Sequence, residues 1–221
     1  MHCQENLNVK FIVFEGLDGA GKSTLMRGLS HFLTHERINY IHTREPGGTP
    51  LSEEIRDIIL RVDPKTAPVP RAELLLYEAS RAQHVEQLIK PALKNGTWVL
   101  CDRFSASSTV FQGVARNLGI NTVEWLNDFA TESLKPDLTV LLDLSVEESL
   151  KRKQAKAQHN GETLDRMEQE SADFHTKVRE GFLKLASEQP NWLVLDAAKD
   201  SLKLVSELTS HIRALDWCRQ K

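Results

Sequence analysis

Phe11-Ile-Val-Phe-Glu15 runs directly into Gly16-Leu-Asp-Gly-Ala-Gly-Lys-Ser23. The first stretch is apolar up to a closing acid, as in a strand covered on both faces, where the alternation of a half-exposed strand is lost. The second fits G-x-x-x-x-G-K-[ST], a phosphate-binding loop. Beyond it Leu25, Leu29 and Phe32 recur at i, i+4 and i+7, one stripe of a helix. Strand, glycine loop and helix in this order are the context the motif needs. Its glycines let the backbone turn tightly with N–H groups aimed at a phosphate chain, and the helix N-terminus adds its positive dipole end. Lys22 is placed to meet the β- and γ-phosphates, and Ser23 to offer its hydroxyl to Mg²⁺. Gly16, Leu17, Asp18, Gly19, Ala20, Gly21, Lys22, Ser23 and Thr24 are therefore expected to hold a nucleoside triphosphate.

Further short apolar runs follow at 38–42, Trp98–Asp102, Leu138–Asp143 and Trp192–Asp196. Helical spacing lies between them, with Ile55, Ile58 and Ile59 on one face. Strands alternating with helices imply right-handed βαβ crossovers. The expected fold is α/β: three layers, a doubly wound five-stranded parallel sheet with flanking helices, of the P-loop NTPase type. Residues 1–221 are expected to form one domain. The three prolines within 63–70 suggest a surface loop, and the polar stretch 151–162, with Asn160-Gly161, reads as mobile.

Composition narrows the function. With 28 Lys+Arg against 31 Asp+Glu, a net charge of −3, the chain has no basic excess for gripping a nucleic-acid polymer. Cys3, Cys101 and Cys218 are odd in number and far apart, which provides neither a disulfide framework nor a metal pair. Residues 1–10 lack the apolar run of a signal peptide, and no stretch of about 18 apolar residues is present to span a membrane. A cytoplasmic protein is expected. His31 and His35 sit at i, i+4 but have no third ligand in view, so a solvated helix face is the better reading.

The class of P-loop protein follows from what accompanies the loop. The chain contains no Asn-Lys pair, so the N-K-x-D motif of GTPase switches is missing. Motor-type ATPases close an apolar strand with Asp-Glu, where the Glu polarises water. Here the strand Trp98–Asp102 is followed by Arg103, and an arginine stabilises charge on a transferred phosphoryl group. Transfer to a second substrate is favoured over hydrolysis.

Leu100-Cys-Asp-Arg-Phe-Ser-Ala-Ser-Ser-Thr-Val-Phe-Gln112 closely resembles the signature stretch of thymidylate kinases. So do Phe14-Glu-Gly-Leu-Asp-Gly-Ala-Gly-Lys-Ser-Thr24, Thr43-Arg-Glu-Pro-Gly-Gly-Thr49, Tyr77-Glu-Ala-Ser-Arg81 and Leu164-Asp-Arg-Met-Glu168, in the family's order. The resemblance implies an NMP-kinase-like fold that phosphorylates dTMP to dTDP with ATP and Mg²⁺, a step of dTTP biosynthesis, in a homodimer. It implies that Arg44, Arg56 and Arg103 grip the dTMP phosphate as guanidinium forks. Tyr77 takes the position of the family's stacking aromatic, with Arg81 one turn on to donate to the O4 carbonyl. Ser108 and Gln112 face the polar edge of the base. Glu45 and Asp18 are acids beside the phosphates, and Asp102 stands where P-loop proteins hold the metal through water. Lys22 and Arg103, with a lid arginine, make up the catalytic cations.

The departures from the family pattern matter as well. Some members carry an arginine in the phosphate loop where this chain has Gly19, and in such members a lid supplies the arginines. The lid here, about 151–166, has Lys153 and Lys156 where arginines are common, which leaves Arg152 and Arg166 as candidates. Tyr77 for Phe, and Phe104 for Tyr or His, keep an aromatic ring. A kinase for another nucleotide or deoxynucleoside is the nearest competing reading, and a nucleotide-dependent switch the more distant one.

Overall fold

The structure, a computed structural model, describes residues 9–161 and 163–218. Most of the polar start, with Cys3, and position 162 of the lid lie outside these residues. All five apolar runs form strands: β1 (Phe11–Glu15), β2 (Tyr40–Arg44), β3 (Trp98–Asp102), β4 (Leu138–Asp143) and β5 (Trp192–Asp196). The helices are α1 (Lys22–His35), α2 (Pro50–Ile59), α3 (Pro70–His84), α4 (Lys90–Lys94), α5 (Ser105–Ser108), α6 (Ile120–Thr131), α7 (Val146–Asn160), α8 (Ala172–Glu188) and α9 (Ser201–Ala214). Val85–Ile89 and Thr109–Ala115 are π-helical stretches that continue α3 and α5.

The strands form one parallel sheet ordered β2-β3-β1-β4-β5. β1 lies at its centre, with Val13 opposite Cys101 of β3 and Thr139 of β4, and is buried throughout. Its residues divide between two layers. Ile12 and Phe14 pack with Leu25 and Leu29 of α1 and Leu208 of α9. Phe11 and Val13 pack on the other face with Val85, Ile89 and Phe104. That division explains the unbroken apolar run, because each face needs its own set of side chains.

Two expectations shift. β2 is Tyr40–Arg44, not 38–42. Ile38 closes the turn out of α1, its N–H donating to the Leu33 carbonyl at 2.9 Å, while Thr43 and Arg44 pair with Cys101 and Asp102. Within 151–162, the stretch read as mobile from its polarity, residues up to Asn160 are the body of a helix. α7 starts at an N-cap, Ser145, whose hydroxyl accepts from Glu148 N–H, carries Glu147 and Glu148 in its first turn and ends at Gly161 in a left-handed conformation. Caps and good helix formers sustain it without the apolar stripe by which a helix is recognised in sequence. Within the described residues no helix is long and apolar enough to cross a membrane.

Candidate active site

β1 and β3 end at the same edge of the sheet, which is where open α/β sheets build their ligand sites. Gly21, at φ 99°, turns the chain into α1 without a capping side chain, so the first N–H groups of the helix are left open to an anion. Lys22 is buried beneath them, its Nζ donating to the Gly16 and Leu17 carbonyls at 3.2 and 3.3 Å. Asp18 and Asp102 each stand 3.9 Å from that amine. Burial, with Arg103 nearby, pushes the Lys22 amine down, and the surrounding acids oppose it. Ser23 and Thr24 are exposed on the first turn.

Mg²⁺ fits what surrounds this loop. Asp102 Oδ1 is buried without a hydrogen-bond partner among the described residues, the Lys22 amine facing it from 3.9 Å, so it is free to accept from a metal-bound water. With the Ser23 hydroxyl it makes the kind of hard oxygen set that Mg²⁺ prefers.

Arg103 follows directly. Its backbone takes φ 69°, rare for a residue with a side chain, while its N–H still bonds the Phe14 carbonyl at 2.9 Å. The guanidinium donates to Asp18 at 2.8 Å and to Ser107 at 3.3 Å, and lies 3.8 Å from Glu15. Burial pushes the Asp18 carboxyl up, but Arg103 and Lys22 outweigh it and hold the group well below the usual carboxylate range. Glu15 is fully buried and accepts from Phe104 N–H, Ser107 N–H and Ser107 Oγ at 3.0, 3.2 and 2.7 Å. Burial raises its carboxyl despite Arg103. The acid that closes β1 therefore fixes the chain that carries Arg103.

A cleft opens beside this pair. Asp18, Glu45, Arg56, Tyr77, Arg81, Arg103, Ser108, Phe111 and Gln112 line it, with Asp165 and Met167 from the lid side. Arg81 is 1% exposed and holds much of it together. Nε donates to Glu45 at 2.8 Å; Nη1 reaches Glu78, Ser108 and Asn127 at 2.7, 3.1 and 2.8 Å. Among the described residues Nη2 makes one bond, to the Phe104 carbonyl at 3.2 Å, which leaves its second N–H for a ligand of the cleft. Glu45 also meets His84 Nδ1 at 3.0 Å, while His84 Nε2 meets the Thr43 hydroxyl at 2.6 Å. Gly48 is required above them, since a Cβ there would fall 2.6 Å from both His84 Nε2 and Thr43 Oγ1. Burial pushes the Tyr77 hydroxyl up, reinforced by Glu73, and keeps it neutral.

The arginines expected at the acceptor phosphate divide. Arg56 lines the cleft, anchored to the Pro46 carbonyl at 3.0 Å. Arg44 lies exposed, bonded to Glu53 at 2.8 Å, and is not part of the lining.

The lid meets the loop through α7. Ser149 Oγ donates to the Asp18 carbonyl at 2.6 Å. Gly19 packs so closely that a Cβ would sit 3.1 Å from the Ser149 carbonyl and 3.2 Å from Arg152 Cβ, at a φ of 79° besides. A larger residue in this loop position has no room while α7 lies on it. Arg152 bonds Glu148 at 2.8 Å and the Ala197 carbonyl at 3.2 Å. Lys153 is buried, donating to the Glu168 carbonyl. Arg166 donates to the Ile59 carbonyl at 3.1 and 3.0 Å and pairs with Glu73 at 2.6 Å.

Glu15, Glu73, Glu78, His84, Ser107 and Asn127 complete the site; Glu15, Glu78 and Ser107 lie within the quoted signature stretches without a role assigned to them, and Glu73, His84 and Asn127 lie outside every motif. Helical spacing carried part of the signal, for Glu78 and His84 stand three residues on either side of Arg81. An acid closing a buried strand was the cue for Glu15. Asn127, on α6, is linked to the cleft only by tertiary packing and had no cue.

A sequence profile described as thymidylate kinase matches residues 14–208. Among curated relatives, a thymidylate kinase of Bdellovibrio bacteriovorus is 57% identical over 209 residues, 94% of this chain and 95% of its own length. Another, from Ligilactobacillus salivarius, is 48% identical over 91% of this chain and 96% of its own. The crystal structure of thymidylate kinase from Ehrlichia chaffeensis superposes with a TM-score of 0.72 at 27% identity, covering 92% of this chain and 98% of that one.

Proposed function

The chain belongs to the thymidylate kinase family, and from that premise we propose which of its residues move the γ-phosphoryl group of ATP to dTMP. The observation that carries the reading is the buried Lys22 of the phosphate loop beside an Asp18–Arg103 pair, at the head of a cleft lined by Tyr77 and Arg81. The phosphate loop binds the triphosphate, with Gly16 to Thr24 around it. The dTMP base lies on Tyr77, its O4 toward Arg81 and its edge toward Ser108 and Gln112.

The transfer is in-line, with no covalent enzyme intermediate. An oxygen of the dTMP phosphate attacks the γ-phosphorus as its bond to the β–γ bridging oxygen breaks, giving dTDP and ADP. Arg103 and Lys22 neutralise charge that builds on the transferred group, and Arg56 holds the acceptor phosphate. Asp18 and the Glu15 carboxylate behind it keep the Arg103 fork pointed at the loop. Glu45, gripped by Arg81 and His84, fixes the floor beside the acceptor. The Ser23 hydroxyl and, through water, Asp102 would hold Mg²⁺, which would spread the phosphate charge.

Arg152 is the freer of the two lid arginines. Its pair with Glu148 is about one-third exposed on each side, the kind of contact worth roughly 0–1 kcal/mol, whereas Arg166 is held on a fully buried glutamate. Arg152 therefore covers the phosphoryl group when α7 moves, and Arg166 anchors the turn that follows. We read 1–221 as one domain with this lid at about 151–166, in a reduced cytoplasmic setting; among the described residues Cys101 and Cys218 are free thiols. Leu51, Leu75, Trp125 and Phe129 lie exposed on α2, α3 and α6, with Trp125 and Phe129 stacked at 6.2 Å, and α3 packs against both other helices. Exposed apolar side chains on helices that pack together are suited to a second copy, a homodimer that light scattering can count.

The decisive assay offers ATP with dTMP, dUMP, dCMP, dGMP and thymidine in turn. dTMP is expected to win by a large factor; a preference for any other acceptor overturns the assignment.

A further inference from the structure

Glu73, in the first turn of α3, has no exposed surface and takes no part in the phosphate chemistry. Gln112 Nε2 donates to its Oε1 at 2.8 Å. Arg116 Nε stands 3.3 Å from the same oxygen, and Arg166 Nη2 lies 2.6 Å from Oε2. The amide comes from the π-helical stretch, Arg116 from its end, and Arg166 from the turn after α7. A carboxylate flanked by two guanidinium groups offers acceptors only. An amide that faces it must present its NH₂, because a carbonyl there would set acceptor against acceptor.

Gln112 is thereby locked into one of two orientations of nearly equal shape. Nε2 is held on Glu73, and Oε1, which has no protein partner among the described residues, is left for the cleft that Gln112 lines. We propose that Glu73 is a specificity-positioning residue: by holding Gln112 Nε2 it turns the amide into an acceptor, so that the pocket takes a pyrimidine with a donor at N3. The proposal rests on the dTMP reading of the cleft. With the spare Nη2 N–H of Arg81 as the donor for O4, the pattern matches thymine and opposes cytosine at both positions. Cytosine offers an acceptor at N3 and an amine at position 4. A site whose buried polar groups are left unpaired by the wrong partner can discriminate by about 10⁴.

A merely supporting role for Glu73, steadying Arg116 and Arg166, predicts something else, and 5-methyl-dCMP tells the two apart. This analogue keeps the methyl group of dTMP and exchanges donor and acceptor along the edge. kcat and KM are measured for both substrates in the wild type, Glu73→Gln, Gln112→Leu and the double variant. The neutral amide of Glu73→Gln can face Gln112 either way round. That variant is expected to narrow the kcat/KM preference for dTMP by about tenfold or more. In the Gln112→Leu background it is expected to change the preference by no more than about twofold. Equal losses on both substrates, or an undiminished effect without Gln112, overturn the proposal. Should Glu73→Gln not fold, Glu73→Asp keeps the charge for the arginines while drawing the carboxylate back from Gln112. It must narrow the preference too, and an unchanged ratio overturns the proposal. A wild-type enzyme that prefers neither substrate overturns the dTMP reading and the proposal together; a preference that survives both Glu73 variants overturns the proposal alone.

Discussion

The donor half and the acceptor half of this site are built in opposite ways. The phosphate loop is a run of consecutive residues, 16–24, whose backbone is proposed to do the binding and whose shape is set by glycines such as Gly21 at φ 99°. The acceptor cleft draws side chains from the phosphate loop, the turns after β2 and β3, α2, α3, α5 with its π-helical continuation, and the lid turn, and they meet through Arg81, which is 1% exposed and, among the described residues, bonded to five others. A backbone site survives most changes around it. A side-chain site of this kind ties recognition to stability, since its reading groups are also its supports.

The largest expected effect lies where the two halves meet. Arg103→Ala should cut kcat by on the order of 10³ or more while ATP binding persists, as measured by single-turnover kinetics and calorimetry. A rate within a few-fold of wild type removes Arg103 from the mechanism. Arg81→Gln comes next, and separates the halves. It leaves Glu45 and Glu78 buried without their guanidinium, so thermal unfolding should show a loss of about 3–5 kcal/mol together with a raised KM for dTMP. ATP affinity should stay close to wild type, and a parallel loss of ATP binding would make the two halves a single construction. The lid arginines provide a smaller contrast. Arg152→Ala should lower kcat about 10²-fold with little change in melting, whereas Arg166→Ala, which strips Glu73 of a partner, should cost about 1–3 kcal/mol of stability. The reverse result exchanges their roles. Smallest is the cap of the lid helix: Ser145→Ala should cost about 1 kcal/mol, read by denaturant midpoint.

Much of the donor half was legible because it is local. Phe11 to Ser23 contains its own strand, loop and helix start, and the Asp102-Arg103 pair follows its strand directly. The acceptor half was legible only where family resemblance supplied it, as for Tyr77, Arg81, Ser108 and Gln112, all of which line the cleft. Arg44, supplied by the same route, lies exposed on Glu53 outside that lining. Glu73 and Asn127 were invisible because their partners lie 39 and 46 residues away in the chain, and no period or spacing reports such a contact. α7 escaped notice for a different reason. Its sequence past Leu150 is polar on all sides, so periodicity was silent where a cap and helix propensity were enough.

Both halves matter only if Arg103 beside the phosphate loop directs the γ-phosphoryl group to a nucleotide and not to water. The direct measurement is the yield of ADP and dTDP from ATP, with and without dTMP. One dTDP for each ADP, and negligible ADP when dTMP is withheld, is the predicted result. ADP formation that dTMP fails to stimulate, with no dTDP appearing, would contradict it.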